Sequence, residues 1–336
     1  MRILPVILAG GEGKRLWPLS KPEMPKQFLT DFTAKSIFQS TIERNNFLGH
    51  PLIIGNLANK HIIEEQLIGD ISNYTLFFES FRNNTLFPII TAILEAEDKG
   101  YDTIVVLPSD HYIQDLRVYQ QELKGALETI KQHKLCLLGL PPQTPNTGYG
   151  YIKYGDNITP TLHKIEEFTE KPSVKVAEEL IKGQKCLWNS GIYIFDVEYI
   201  KNYCQKFLAD IWHKAEKTFF LRGKLQENKF LFLKEYFSDV KPASFDKIVA
   251  QQLSKGVIYR ASFDWLDIGD WKNYRRMIKS DKNNNQLAGN ISLQAVKNCL
   301  IKAGEKKTTI IGLKNIVIIN DEDHLFIAHK TALEEN

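Results

Sequence analysis

Two short stretches of this chain carry residue types suited to phosphate chemistry. The first is Gly10-Gly11-Glu12-Gly13-Lys14-Arg15-Leu16. Glycines let a backbone approach a phosphate closely, and its N–H groups then act as donors. Arg15 and Lys26 put two fixed cations in one Gly- and Pro-rich loop. Such cations suit the negative charge that develops as a phosphoryl group is transferred. The blander alternatives are a purely structural glycine turn and two solvated surface charges. The loop is not a Walker A loop, since Leu8 stands at the first glycine position and Arg15 replaces Ser or Thr. It is not the dinucleotide fingerprint either, because Leu16 stands where the third glycine belongs, which disfavours a nicotinamide dehydrogenase. The second stretch is Pro108-Ser109-Asp110-His111. Read alone, Asp110 there could cap a helix or turn a loop. His111 reads as a packed or capping residue.

Both stretches need strands to present them. Residues 3–9 form a short apolar run closed by glycine, which predicts a buried parallel strand. The pattern then predicts a helix over 36–45, a strand over 51–54, a helix over 61–68 and a strand over 76–78. A helix over 85–99 and a strand over 103–107 follow. Strands alternating with helices at this spacing predict an α/β fold with a doubly wound, Rossmann-like sheet. Such sheets bind ligands at the carboxyl ends of their strands, where the loops after Ala9 and Leu107 lie. Beyond residue 140, alternation over 148–152, 164–168 and 191–195 predicts antiparallel strands in a mixed insert covering the sheet edge. Residues 197–238 read as mainly helical. A polar run over 281–289 reads as a linker, followed by β-like segments over 299–302, 308–311, 316–319 and 325–328. The expected division is therefore 1–280 and a small β-rich C-terminal domain over 289–336.

The bulk numbers exclude little. The 336 residues allow one large domain or a large and a small one. A net charge of +3 gives no strong field toward nucleic acid or a membrane surface. The first apolar run is too short to span a bilayer, so no membrane insertion is expected. Cys136, Cys186, Cys204 and Cys299 fit no zinc spacing and read as free thiols of a reducing cytoplasm.

The residues 10–20, Gly-Gly-x-Gly-x-Arg-Leu-Trp-Pro-Leu-Ser, and 25–29, Pro-Lys-Gln-Phe-Leu, resemble the signature of bacterial mannose-1-phosphate guanylyltransferases. The resemblance implies a GT-A-like nucleotidyltransferase fold and a Mg²⁺-dependent reaction. GTP would give its guanylyl group to α-D-mannose 1-phosphate, yielding GDP-mannose and pyrophosphate. Arg15 and Lys26 would bind the triphosphate. Gly10, Gly11, Gly13, Glu79, Asn84 and Thr85 would contact the nucleotide. Asp110 resembles the metal ligand of the family's strand-ending Asp-His pair. Its partner would be Asp267, in Asp264-Trp265-Leu266-Asp267-Ile268-Gly269-Asp270-Trp271, a segment similar to the family's Trp-x-Asp-x-Gly-x-Trp. Residues 146–152, 168–172 and 188–191 resemble the family's sugar-side motifs. They would put Glu170 and Asn189 on sugar hydroxyls, Lys171 on the sugar phosphate and the Gly148 backbone beside the sugar. Read alone, Glu170-Lys171 also fits an exposed charged turn, and Trp188 a core position.

The resemblance covers most of the chain and departs in places. Where the family has Glu-Pro-x-x-Arg-Asn-Thr, this sequence has Glu79-Ser80-Phe81-Arg82-Asn83-Asn84-Thr85, so the arginine is displaced near the nucleobase. Gln251-Gln252 stand where relatives end a motif in Glu-Lys, while Asp246 is kept. Another sugar 1-phosphate or nucleotide, or a silent nucleotide-sugar-binding regulatory subunit, are the alternatives. Many relatives carry a cupin-like isomerase domain after this core, and without one no phosphomannose isomerase activity is expected. The expected partners are GTP and mannose 1-phosphate, with a homo-oligomer, first a dimer, using the β tail as a candidate interface.

Overall fold

Four apolar runs of the N-terminal half become parallel strands: β1 (Ile3–Leu8), β2 (Leu52–Asn56), β3 (Thr75–Glu79) and β4 (Thr103–Pro108). Burial on both faces explains why these runs are continuously apolar rather than alternating. β1 lies between β2 and β4, with Leu8 opposite both Ile54 and Pro108, so β1 and β4 end level while β2 runs on to Asn56. The computed structural model describes residues 1–69, 73–81, 84–236, 242–248, 256–321 and 324–334.

Two compact units are present. The first comprises Met1–Gly11, Thr41–Ser109 and Ile113–Trp265, and the second Glu12–Ser40, Asp110–Tyr112 and Leu266–Asn336. A short ladder of β5 (His111–Ile113) and β13 (Trp265–Asp267) stands apart from the large sheet.

The remaining strands of the first unit are β6 (Leu135–Leu140), β7 (Tyr151–Asn157), β8 (Leu162–Thr169), β9 (Cys186–Asp196), β10 (Gly223–Gln226), β11 (Lys229–Phe232) and β12 (Val257–Arg260). All join one 11-stranded sheet in the order β10-β11-β3-β2-β1-β4-β9-β6-β12-β8-β7. Of the insert expected over the sheet edge, β8 and β7 form one edge of the sheet, antiparallel to each other, while the third segment lies inside it. β9 sits inside the sheet, antiparallel to both β4 and β6. The helix Leu86–Asp98 is apolar around most of its circumference because it is buried among the helices Val197–Phe207 and Ala209–Phe220 and the sheet. The helical reading of 197–238 holds only to Phe220. Asn228 then takes a left-handed φ of 59° and turns a hairpin whose second strand pairs parallel with β3. Asn tolerates that conformation better than most residues.

The second unit carries β14 (Gln286–Ala288), β15 (Ile291–Gln294), β16 (Leu300–Lys302), β17 (Thr308–Ile311), β18 (Ile316–Asn320) and β19 (Leu325–His329). β14, β16 and β18 pair in parallel, β19 closes antiparallel, and β15 pairs with β17. Val296, Cys299, Ile301, Ile310 and Ile318 form a core there. Asn298 and Asn315 turn the chain at φ 56° and 58° and bond to each other at 2.7 Å. The polar run at 281–285 is a bonded turn: buried Asn285 donates to Asp281 and to the Val296 carbonyl and accepts from the Cys299 N–H. All four cysteines are buried and free. Among the described residues no helix is long and apolar enough to cross a membrane.

Candidate active site

The second unit brings five of the expected residues together, Gly13, Arg15, Lys26, Asp110 and Asp267. Gly13 has φ +64°, and a Cβ there would stand 2.6 Å from the Lys26 backbone nitrogen and 2.8 Å from its side chain. Only glycine fits both demands. Ser20 Oγ donates to the Gly13 carbonyl at 2.5 Å, and Leu16 and Leu19 are buried, while Arg15 between them and the glycine stays exposed. Gly13→Ala is expected to displace Lys26 and lower kcat/KM by about 100-fold, as small misplacements of a charged group do. Steady-state rates on protein with an unchanged circular dichroism spectrum check this.

Lys26 is buried, and its Nζ lies 2.8 Å from Asp110 and 3.5 Å from Asp267. The Asp110 carbonyl accepts from the Ile268 N–H at 3.2 Å, which holds the two acid-bearing segments side by side. Burial would lower the Lys26 pKa, but the two carboxylates outweigh it and raise the value. Burial pushes Asp110 up, yet Lys26 and His111 pull its carboxyl well below the usual range. Asp267 moves the other way, raised by burial and by Asp110 against the pull of Lys26 and Arg15. Asp267 Oδ1, the oxygen that faces Lys26 Nζ at 3.5 Å, is buried and accepts no hydrogen bond. Two carboxylates with such an oxygen fit a divalent cation, which takes one or two carboxylates and completes its shell with phosphate and water. Among the described residues no cluster of three or more His, Cys, Asp or Glu offers an alternative metal site. Asp270 is a cap rather than a ligand, accepting from Asn273 N at the start of the helix Trp271–Arg276. Gly269 makes room for Arg15: a Cβ there would lie 3.1 Å from the guanidinium.

A second cluster belongs to the first unit. Asn189 Nδ2 donates to Tyr193 Oη at 2.8 Å and to Asp246 Oδ1 at 2.9 Å, and Tyr193 donates to the same Asp246 oxygen. Ser244 Oγ donates to the other Asp246 oxygen at 2.9 Å. A Cβ on Gly150 would meet Glu170 Oε2 at 2.8 Å, so this glycine seats Glu170 next to Asn189. Burial and then Asp246 raise the Glu170 pKa against the pull of Lys171. Lys171 is exposed at φ 46°, with Nζ 3.2 Å from Glu170. The Gly148 N–H is given to Asn146 Oδ1 at 2.7 Å. Trp188 is core, packed with Tyr149 and Trp265. Sequence reasoning did not find Tyr193 or the Tyr193–Asp246 bond, because a tyrosine inside an apolar strand reads as packing.

The expected nucleotide contacts are placed separately. A Cβ on Gly10 or Gly11 would meet nothing within 4 Å, so protein packing does not demand those glycines. Asn84 adopts φ 59°, and Thr85 Oγ1 accepts from Phe245 N at 2.9 Å. Arg82, Asn83, Gln251 and Gln252 lie outside the described residues. Glu79 ends β3 fully buried, its Oε1 unpaired, and burial pushes its pKa up to about 8. A carboxyl with a raised folded pKa contributes stability that is fully present below its ordinary value near 4.5 and is lost as pH rises toward about 8. Glu79→Gln is expected to flatten that decline, so the melting temperature falls less between pH 5 and about 8 than in the unaltered protein.

Comparison with known proteins fits this arrangement. A family model described as nucleotidyl transferase matches residues 4–284. Alginate biosynthesis protein AlgA of Pseudomonas putida is 32% identical over 339 residues, covering 99% of this chain and 70% of its own length. Mannose-1-phosphate guanylyltransferase RfbM of Salmonella typhimurium is 32% identical over 344 residues, covering 100% and 71%. A solved structure described as a mannose-1-phosphate geranyltransferase from Thermus thermophilus superposes with a TM-score of 0.85 at 25% identity, covering 100% of this chain and 97% of its own. The glycine loop, the lysine held between two aspartates and the mixed sheet thus sit in a chain that belongs to the nucleotidyl transferase family.

Proposed function

We propose that this enzyme transfers a guanylyl group from GTP to α-D-mannose 1-phosphate, giving GDP-mannose and pyrophosphate. The observation that carries the reading is the buried Lys26 ammonium lying between Asp110 and Asp267, with an exposed Arg15 in the same loop. Relatives named mannose-1-phosphate guanylyltransferase at about a third identity support the choice of substrates.

In this reading the sugar phosphate oxygen attacks the α-phosphorus in line and pyrophosphate leaves. A phosphate monoester has its second pKa near about 6, so the nucleophile is already ionised at neutral pH and no general base is needed. Arg15 and Lys26 neutralise charge along the triphosphate, and Gly10, Gly11 and Gly13 offer backbone N–H groups. Asp110 and Asp267 would hold Mg²⁺, which when bound supplies charge neutralisation at the reacting phosphates. Glu170 and Asn189 would bond sugar hydroxyls, with Asn189 aimed by Tyr193 and Asp246. Lys171 and the Gly148 backbone would meet the sugar phosphate side, and Glu79, Asn84 and Thr85 the nucleoside. Residues 1–280 would be the catalytic part and 289–336 the β-rich tail. Four free thiols support a reducing cytoplasmic setting.

The test is pyrophosphate release with mannose 1-phosphate, Mg²⁺ and each of GTP, ATP, UTP, CTP and dTTP. Release with GTP alone is expected. Equal release with another nucleotide would overturn the guanine assignment, and release only with another sugar 1-phosphate the mannose assignment.

A further inference from the structure

The segment carrying Lys26 is tied to the C-terminal strands by an alternating chain of charges. Lys302 Nζ, at the end of β16, lies 2.9 Å from Asp31 Oδ1 and 2.8 Å from Asp321 Oδ1. The other Asp321 oxygen lies 2.8 Å from Lys21 Nζ. Lys21 and Asp31 stand at equal distances along the chain before and after Lys26. The tail therefore grips both shoulders of the lysine that faces Asp110 and Asp267, the Asp31 side through the Lys302 ammonium and the Lys21 side through the Asp321 carboxylate that Lys302 pairs.

The span between the shoulders is stiff enough to transmit that grip. Lys21 and Met24 exchange backbone hydrogen bonds at 3.1 and 3.0 Å. Lys26–Phe28 forms a turn of 3₁₀ helix, with Phe28 N bonded to the Pro25 carbonyl at 2.9 Å. Phe28 and Leu29 are buried, so the Asp31 side of the span is anchored as well. Trp17, in the same loop, rests on His324 and Phe326 of the tail at ring distances of 5.3 and 5.6 Å. Leu16, Leu19, Leu29 and Ile37 share one apolar core with Leu300, Val317 and Ile319. That core fixes the loop against the tail without selecting one register. A charge pair with defined geometry on each shoulder does select one.

We propose that Lys302, with Asp321, is a positioning residue for nucleotide binding, holding Lys26 in place through Asp31 and Lys21. The side chains of Lys302, Asp31 and Asp321 are each about a fifth to a quarter exposed, so salt screens the network only in part. The proposal rests on the reading that the Lys26 loop binds the triphosphate. It makes the small tail part of the nucleotide site's framework rather than an appendage.

The full-length protein is examined as Lys302→Met, Lys302→Arg and Asp31→Asn, with two measurements. The first is amide hydrogen exchange over residues 21–31 without substrate. The second is the dissociation constant for GTP by calorimetry, set against KM for mannose 1-phosphate. Lys302→Met is expected to speed exchange in that segment and weaken GTP binding about tenfold, the size of a coupling between groups in one network, with the sugar phosphate KM unmoved. Lys302→Arg is expected to restore both, and Asp31→Asn to reproduce part of the effect. Combining Asp31→Asn with Lys302→Met should then cost little more than Lys302→Met alone. Unchanged exchange in Lys302→Met overturns the clamp whatever the activity. Faster exchange with unchanged GTP binding, or equal losses for both substrates, overturns the positioning role. A parent protein that binds no GTP would instead overturn the functional reading, and the exchange result would still decide whether the clamp exists.

Discussion

Asp267→Asn is expected to lose about three orders of magnitude or more in kcat/KM while keeping or raising its melting temperature. The activity loss follows from removing one of the two carboxylates that would hold the divalent cation, whose neutralisation of phosphate charge is worth several kcal/mol, at about 1.4 kcal/mol per tenfold. The stability expectation has the opposite sign for a physical reason. Burial and the neighbouring Asp110 both disfavour the Asp267 carboxylate, and its pKa is raised accordingly. An amide of the same shape removes that repulsion. It still leaves the backbone carbonyl that accepts from Asn273 Nδ2 at 3.0 Å. A merely structural aspartate would show the reverse pattern, with stability lost and activity kept. Assays at saturating Mg²⁺ beside a thermal melt separate the two, and near-normal turnover in folded Asp267→Asn would remove this residue from the metal assignment.

Lys26→Met is expected to lower kcat/KM by about 100- to 1000-fold, the cost of removing one donor aimed at developing charge. Here stability should fall too. Lys26, ahead of His111, holds Asp110 below the ordinary carboxylate range. A carboxyl with a depressed folded pKa contributes stability that is present above its unfolded value near 3.8 and lost as pH falls through the folded value. Without Lys26 that contribution disappears at neutral pH, and two carboxylates face each other. The melting temperature of the variant should therefore fall below that of the parent at pH 7, with the gap closing as the solution is acidified. Mg²⁺ should raise the melting temperature of the variant more than that of the parent, because a cation can take the place of the missing ammonium. A variant with the parent's melting curve and no response to Mg²⁺ would contradict the arrangement.

Much of this fold could be read from local pattern. β1, β2, β3 and β4 fall where short apolar runs end in glycine, proline or polar residues, and burial on both faces is what makes such runs stand out. The hairpin at β10 and β11 was not legible. Phe219 and Phe220 end a helix, while Phe230 and Phe232 lie in a strand, so the aromatic density continues across a change of period. The place of β9 between β4 and β6 depends on pairings distant in sequence. The same limit governs the site. Gly13, Arg15 and Lys26 stand together in one loop, and their residue types alone suggest phosphate-type chemistry. That Asp110 meets Asp267 followed only from a family resemblance. The bonds from Tyr193 to Asp246 and from Lys302 to Asp31 join residues far apart in the chain, and no local spacing announces them.

Nucleotidyl transfer at the α-phosphorus is tested by following label from GTP into product. The protein is incubated with mannose 1-phosphate, Mg²⁺ and GTP labelled either at its α-phosphate or at its γ-phosphate, and the products are separated. α-Label is expected in GDP-mannose and γ-label only in pyrophosphate. γ-Label in a sugar product, or no α-label in any sugar nucleotide from folded protein, would contradict it.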